Sequence, residues 1–340
     1  MGVVGRRVPP DPVAIAAAAL LLVAGCGALS TPSSGAPSAP ASGTATSSPS
    51  IAASASPSSA VLHGLLTFAA DKGSGYQMYT LRPDGTGLMQ ITNFDTDATN
   101  PRWSPNGERI SFSLGHPNGP TFCSVELMKA DGSDIVDLTG DRNGCEGSGG
   151  TFTPDGAHIV FGRFDDVANH EAIWSMDLTG GDRHEITDAG NAAPEVSPDG
   201  KKLAFVKETD AGKSLGVANL DGSGVQELLP ISYDVANKID WSRDGKLIVL
   251  TLYADNLGKP ADIATIKPDG TGLTYLTHYD SPDLRAYVGG YSPDGDFIVF
   301  RLEDHGQYGL YRMNADGSDV QAILPLSNFR PRMIDWGPTA

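Results

Sequence analysis

A large apolar residue followed by Ser/Thr-Pro-Asp/Asn-Gly and a short apolar strand recurs along this chain, and few folds accommodate such a repeat. It reads Trp103-Ser104-Pro105-Asn106-Gly107, Phe152-Thr153-Pro154-Asp155-Gly156 and Val196-Ser197-Pro198-Asp199-Gly200. It returns at Trp241-Ser242-Arg243-Asp244-Gly245 and Tyr291-Ser292-Pro293-Asp294-Gly295, and a shortened copy, Trp336-Gly337-Pro338, closes the series. Five residues after each full Gly stands Phe112, Phe161, Phe205, Leu250 or Phe300, and Phe68 fills the same place in the first copy. Their separations are 44, 49, 44, 45 and 50 residues. A fixed period of this size identifies a repeat architecture.

Each repeat holds a second turn: Asp84-Gly85-Thr86, Asp131-Gly132-Ser133, Thr179-Gly180-Gly181, Asp221-Gly222-Ser223, Asp269-Gly270-Thr271 or Asp316-Gly317-Ser318. Apolar pairs such as Ile91-Thr92, Leu138-Thr139, Ile186-Thr187 and Leu276-Thr277 follow. Asp-Gly supplies the positive φ that tight hairpins require, and Pro before it presets φ and cannot donate to a ladder. One repeat therefore holds four strands, A to D. A ends at the Trp-Ser position, B carries the Phe, C carries patterns such as Leu310-Tyr311-Arg312-Met313, and D ends at Leu-Thr. The first copy lacks strand A and the last, Met333-Ile334-Asp335-Trp336, has only strand A. The expected fold is all-β: a six-bladed β-propeller of four-stranded antiparallel blades, its sixth blade closed by the C-terminal strand joining the N-terminal strands. Closure leaves no open sheet edge.

Ser-Pro-Asp-Gly after Trp, Phe or Tyr, with Leu310-Tyr311-Arg312-Met313-Asn314-Ala315-Asp316-Gly317-Ser318 as its second half, resembles the TolB-like propellers, also called WD40-like or PD40 repeats. The resemblance covers the region 61–338. It implies a protein- or peptide-binding propeller of the cell envelope, or a propeller attached to a peptidase. Relatives of the first kind carry an α/β domain before the propeller and those of the second an α/β-hydrolase domain. The expectation here is a propeller with only a leader and a linker.

Arg6 and Arg7 precede the apolar run 13–24, too short to span a bilayer but suited to a signal-peptide core. Val23-Ala24-Gly25-Cys26 resembles a bacterial lipobox, which implies cleavage after residue 25 and a lipid on Cys26. The alternative is an ordinary signal peptidase site that leaves Cys26 free. Residues 26–60 form an uncharged Ser/Ala/Pro-rich linker with too little apolar surface to fold. In an exported chain the remaining pair, Cys123 and Cys145, is expected to form a disulfide. Two reduced thiols are the alternative, and zinc spacing is lacking.

The chain has 24 Lys+Arg against 41 Asp+Glu, a net charge of −17, which excludes nucleic acid and docking on anionic lipid through charge. Strand direction puts the A–B and C–D turns on one face and the longer B–C and D–A loops on the other, where binding groups concentrate. The richest loop segment is 278–287, with His278, Tyr279, Asp280, Asp283, Arg285 and Tyr287 as candidate partner-binding residues. A solvated loop is the plain alternative.

The inner strands offer Asn100, Arg102, Glu195, Asp240 and Asp335 at the expected loop-side mouth of the channel. Three carboxylates there suit a divalent cation, or they pair with Arg102. No cofactor is otherwise expected, and no catalytic residue is assigned. Gly212-Lys213-Ser214-Leu215-Gly216 matches a serine-hydrolase elbow, but it sits in a hairpin rather than a strand-to-helix turn. Trp103, Trp241 and Trp336 share a slot with Phe152, Val196 and Tyr291, which marks packing between blades.

The expected function is a lipid-anchored, extracytoplasmic, non-catalytic module that binds an envelope protein or peptide. A metal-dependent hydrolase or lactonase, a sugar-acid lyase, and a small-ligand or glycan binder are the alternatives. The lipobox makes a direct prediction. Intact mass of the mature protein should show a lipid-modified Cys26 at the N-terminus, and Cys26→Ser should leave the precursor uncleaved or release it from membranes. An unmodified N-terminus at another residue rejects the assignment.

Overall fold

The computed structural model describes residues 62–71, 73, 75–115, 124–139, 148–165, 170–188, 192–209, 211–253, 260–281 and 283–338. Cys26, Cys123 and Cys145, with the leader and the linker, lie outside these residues. The repeats form six antiparallel four-stranded sheets, the blades of a propeller. Blade I joins the two ends of the chain: from the inside outwards it runs Arg330–Gly337, Leu65–Asp71, Tyr76–Leu81 and Met89–Gln90. Blades II to VI start from the inner strands Ala98–Trp103, Ser148–Phe152, Ala192–Val196, Val235–Trp241 and Leu284–Tyr291. Each inner strand packs against the inner strands of the two adjacent blades, which closes the ring.

The core lies between blades. Among the described residues, six apolar clusters each draw side chains from two neighbouring blades. The period of two along strand B feeds two such clusters at once. Phe68, Phe112, Phe161, Phe205, Leu250 and Phe300, all at most 1% exposed, turn toward the preceding blade. Their neighbours Val160, Ala204, Val249 and Val299 turn toward the following one. Both faces of these strands are buried, and the polar residues on them, such as Thr67, Ser111, Ser113 and Thr251, are buried with the apolar ones. The Trp slot packs in the same clusters, on the preceding-blade side, so its role is structural as the sequence predicts.

The repeated turn owes its residue types to one hydrogen-bond device. Ser104 Oγ donates to Asn106 Oδ1 (2.8 Å) and accepts from the Arg109 N–H (2.9 Å). Ser197 does the same with Asp199 (2.7 Å) and the Lys202 N–H (2.9 Å), and Ser242 with Asp244 (2.8 Å) and the Leu247 N–H (2.9 Å). The C–D turns then lock neighbouring blades. Gly180 (φ 77°) and Gly222 (φ 82°) lie so close to the Leu138 and Ile186 carbonyls of the preceding blade that a Cβ would stand 2.0 and 1.8 Å away.

Three of the outermost strands are shorter than the sequence predicts, while His184–Thr187 ends at its Ile-Thr pair as expected. Met89–Gln90, Val136–Asp137 and Thr274–Tyr275 stop before the Leu/Ile-Thr pair. There the threonine hydroxyl replaces a carbonyl acceptor: the Met78 N–H donates to Thr92 Oγ1 (2.8 Å) and the Ile263 N–H to Thr277 Oγ1 (2.9 Å).

The C-terminal strand joins the N-terminal strands as expected, with Trp336 opposite Leu66 and Asp335 opposite Thr67. Trp336 is 2% exposed, stacks on Phe297 of blade VI at 6.4 Å, and donates its indole N–H to the His63 carbonyl at 2.9 Å. Gly337 replaces the usual Ser because Trp103 of blade II lies where its Cβ would be, 2.0 Å away. Trp336→Ala should cost about 3–5 kcal/mol, read by urea denaturation, through cavity creation and lost transfer energy. Removing 330–340 should abolish cooperative unfolding and cause aggregation. A soluble truncated protein with an unchanged melting temperature would disprove closure.

Candidate functional site

The channel has two ends with different chemistry. At each inner strand the residue before the Trp slot reaches the axis, giving the ring Arg102, Thr151, Glu195, Asp240, Gly290 and Asp335. A backbone irregularity sets this direction. The A–B pairing slips just before the ring position in blades II, III and IV, and Asn100, Gly149, Ala193 and Met333 take φ values of 52°, 48°, 47° and 50°. Such bulges re-aim side chains at rims and sites.

Glu195 is the electrostatic centre of the ring. Its carboxylate accepts from Arg102 Nε (2.8 Å), Thr151 Oγ1 (3.0 Å) and Lys238 Nζ (3.3 Å). Burial opposes its charge, yet Arg102 and Lys238 hold the carboxyl below its ordinary range. Burial likewise opposes the Arg102 charge, but Glu195, Asp335 and Asp240 push the guanidinium above its usual value. Asp335 accepts the Trp103 N–H of the next blade (2.8 Å) and lies 3.8 Å from Lys238 Nζ. Asp240 accepts the Trp241 and Tyr291 N–H groups, both at 2.8 Å, and burial pushes its carboxyl up.

The structure corrects the expected position of this set. Arg102, Glu195, Asp240 and Asp335 line a cavity of about 310 Å³ bounded by Pro105, Pro154, Pro198, Pro293 and Pro338. Those prolines belong to the A–B turns, so the carboxylates sit at the turn end of the channel rather than the loop end. The reason is strand direction: the ring position is near the end of strand A, just before the turn. Asn100 does not join them; its amide approaches Ser113 Oγ at 3.5 Å. The carboxylates serve as acceptors for cations and backbone N–H groups of neighbouring blades. Among the described residues no group of three or more His, Cys, Asp or Glu side chains is arranged to hold a metal ion.

The loop end carries a second cavity, of about 220 Å³, between blades IV, V, VI and I. Its lining includes Lys213, Asn237, Lys238, Tyr253, Tyr287, Arg301 and Arg332. Arg301 lies over the Tyr287 ring at 4.1 Å, and the Tyr253 and Tyr287 rings meet edge-on at 6.1 Å.

The 278–287 segment is divided rather than kept as one patch. Leu284–Tyr291 is the inner strand of blade VI, so Arg285 and Tyr287 belong to the scaffold. Tyr287 lines the loop-end cavity, and Arg285 lies 4.0 Å from Glu303. Asp283 faces His305 at 3.6 Å. His278 and Asp280 are exposed, with the His278 ring 5.9 Å from Tyr275. Tyr279 packs against the core between blades V and VI, and burial pushes its hydroxyl up to about 12. It is therefore not a dispensable surface residue. Lys213, Lys238, Tyr253, Arg301 and Arg332 escaped the sequence reading because they come from four blades. One signal was present: the residue after the Phe slot is Ala69, Ser113, Gly162, Val206 and Thr251 in five blades, but Arg301 in the sixth.

Comparisons with known proteins agree with this architecture. Residues 44–282 match the family model described as PD40, TolB beta propeller domain. An uncharacterized protein of Agrobacterium fabrum is 28% identical over 181 residues, covering 51% of this chain and 56% of that protein. Tricorn protease homolog 1 of Streptomyces coelicolor is 24% identical over 230 residues, covering 53% of this chain and 21% of its own length. The chain thus spans about half or less of these curated relatives. The crystal structure of TolB from Acinetobacter baumannii superposes with a TM-score of 0.66 at 19% identity, covering 81% of this chain and 67% of that one; this is a likeness of fold.

Glu195→Gln should cost about 3–5 kcal/mol in urea denaturation at neutral pH, because it breaks a buried ion pair and strands its partners. A group held below its ordinary pKa stabilises above its unfolded value, 4.5 for this carboxyl, and that stability is lost as pH falls through the folded value. The difference between wild type and variant should therefore shrink on acidification. Asp240, pushed up, has the opposite dependence and is common to both proteins. A constant difference from neutral to strongly acidic pH would contradict the assigned pairing.

Proposed function

The chain belongs to the PD40 TolB β-propeller family, and from that premise we propose that it is a non-catalytic protein- or peptide-binding module of the cell envelope. A lipid on Cys26 would hold it outside the cytoplasm, the linker 27–60 would let the propeller stand off the membrane, and Cys123 and Cys145 would be bridged. The observation that carries the binding assignment is the loop-end cavity. It combines tyrosines and arginines, the residue types that dominate binding hot spots, on the first two strands of their blades: Tyr287 and Arg332 on inner strands, Tyr253 and Arg301 on the strands next to them. A preformed concave site with a few converging polar groups is the usual form of a binding site. The ring at the turn end supports a structural role there, because its carboxylates accept from neighbouring blades.

The relative named tricorn protease homolog 1 favours a second reading, in which a propeller of this kind serves peptide hydrolysis. One experiment separates the two. A photoreactive residue replacing Asn237 at the loop end, or Glu108 on the turn face, is introduced into the anchored full chain and cross-linked in intact cells. Cross-links to an envelope protein from position 237 and not from 108 support the binding module. Cross-links only from 108 move the site to the turn face. Cleavage of a random peptide mixture by the purified protein gives the lead to the enzyme reading.

A further inference from the structure

The loop-end cavity runs against the charge of the whole chain. In a protein of net charge −17, the charged side chains that line it among the described residues are Lys213, Lys238, Arg301 and Arg332, with no carboxylate among the described lining residues. Nearby carboxylates are shared by several cations. Glu303 lies 3.6 Å from Arg301 and 4.0 Å from both Arg285 and Arg330. Glu195 serves Lys238 and Arg102 together. Lys213 has Glu208 at 3.0 Å and Asn237 at 3.0 Å. Arg332 donates to the Tyr76 hydroxyl at 3.0 Å and lies over that ring.

Arg301 is the group least explained by folding alone. It is 6% exposed, and its Nε has no hydrogen-bond partner among the described residues. Its other contacts are a long bond to the Pro331 carbonyl (3.4 Å), the Glu303 ion pair and the faces of Tyr287 and Tyr308. Burial pushes its guanidinium below its ordinary value despite Glu303. The five equivalent positions hold Ala, Ser, Gly, Val and Thr, so the repeat does not need an arginine here. Burying a cation with an unmade hydrogen bond is costly, and a negative charge in the cavity that Arg301 lines would offset that cost.

We propose that this cavity binds a carboxylate, and that the carboxylate is the free C-terminus of a bound peptide; the inference rests on the peptide-binding reading above. A guanidinium matches a carboxylate in geometry and strengthens the hydrogen bonds through charge. Tyr253 and Tyr287, whose rings meet edge-on, add phenol groups to the cavity wall. The volume of about 220 Å³ lies below the roughly 300–1,000 Å³ of sites that enclose a whole drug-sized ligand. It accommodates one chain end, with the rest of the peptide lying across the loop face.

The test uses an array of N-anchored random hexapeptides with free C-terminal carboxylates, a duplicate array with C-terminal amides, and the labelled mature protein. The expected result is binding to acids at least tenfold tighter than to the matching amides. Arg332→Gln and Lys213→Gln should remove that preference while leaving the melting temperature near wild type. These two rim variants carry the test, since Arg301→Gln risks misfolding. Equal binding of acids and amides would overturn the carboxylate inference and leave the peptide-binding reading standing. Amides that bind as well as acids only when they contain Asp or Glu would keep the carboxylate but overturn its terminal source. No binding to either array would overturn both readings.

Discussion

Pairing of Arg330–Gly337 with Leu65–Asp71 is the contact on which the rest of the propeller depends. Every blade buries its B strand on two faces, one against each neighbour, so every blade needs two neighbours. An open ring would leave the blade VI–blade I interface without Trp336 and Ile334, which complete that apolar cluster. It would also remove Asp335, whose carboxylate accepts the Trp103 N–H of blade II. Eight residues at one end of the chain thus set the packing of blades I, II and VI.

Two latches act at different radii. Near the axis, a carboxylate of one blade accepts a backbone N–H of the next, as Asp335 does for Trp103 and Asp240 for Tyr291. Near the rim, the C–D turn glycines press against carbonyls of the preceding blade. The first latch is polar and buried, so its geometry is demanding. The second is steric, which is why glycine recurs there. Apolar side chains between them fill a wedge that widens outwards, with the Trp slot and the Phe slot side by side.

Electrostatics then divide the channel. The turn end holds carboxylates satisfied by Arg102, Lys238 and backbone N–H groups. The loop end holds cations whose neighbouring carboxylates are shared. Lys238 lies between the two, bonded to Glu195 and lining the loop-end cavity. A channel of this polarity presents positive charge toward the loops, opposite to the charge of the chain as a whole.

The sequence by itself determined the blades, their number and their closure. These rest on local chemistry: Ser/Thr with Asp two residues on makes the turn, Asp-Gly makes the next, and a short apolar segment around each Phe marks strand B. It also identified the Trp slot as packing, because Trp, Phe, Tyr and Val share it. Tertiary structure alone decided which side chains meet. Glu195, Arg102 and Lys238 come from three blades, and Arg301, Lys213 and Arg332 from three, of which only blade IV is shared with the first set. Their distances depend on bulges such as those at Ala193 and Met333, whose left-handed φ their residue types do not announce. The 278–287 segment read as one rich loop, but strand A begins at Leu284 and turns Tyr287 to the channel while Tyr279 enters the core. Local turns are fixed by residues a few positions apart, whereas a channel is assembled from residues a whole blade apart. Only closure of the ring brings those together.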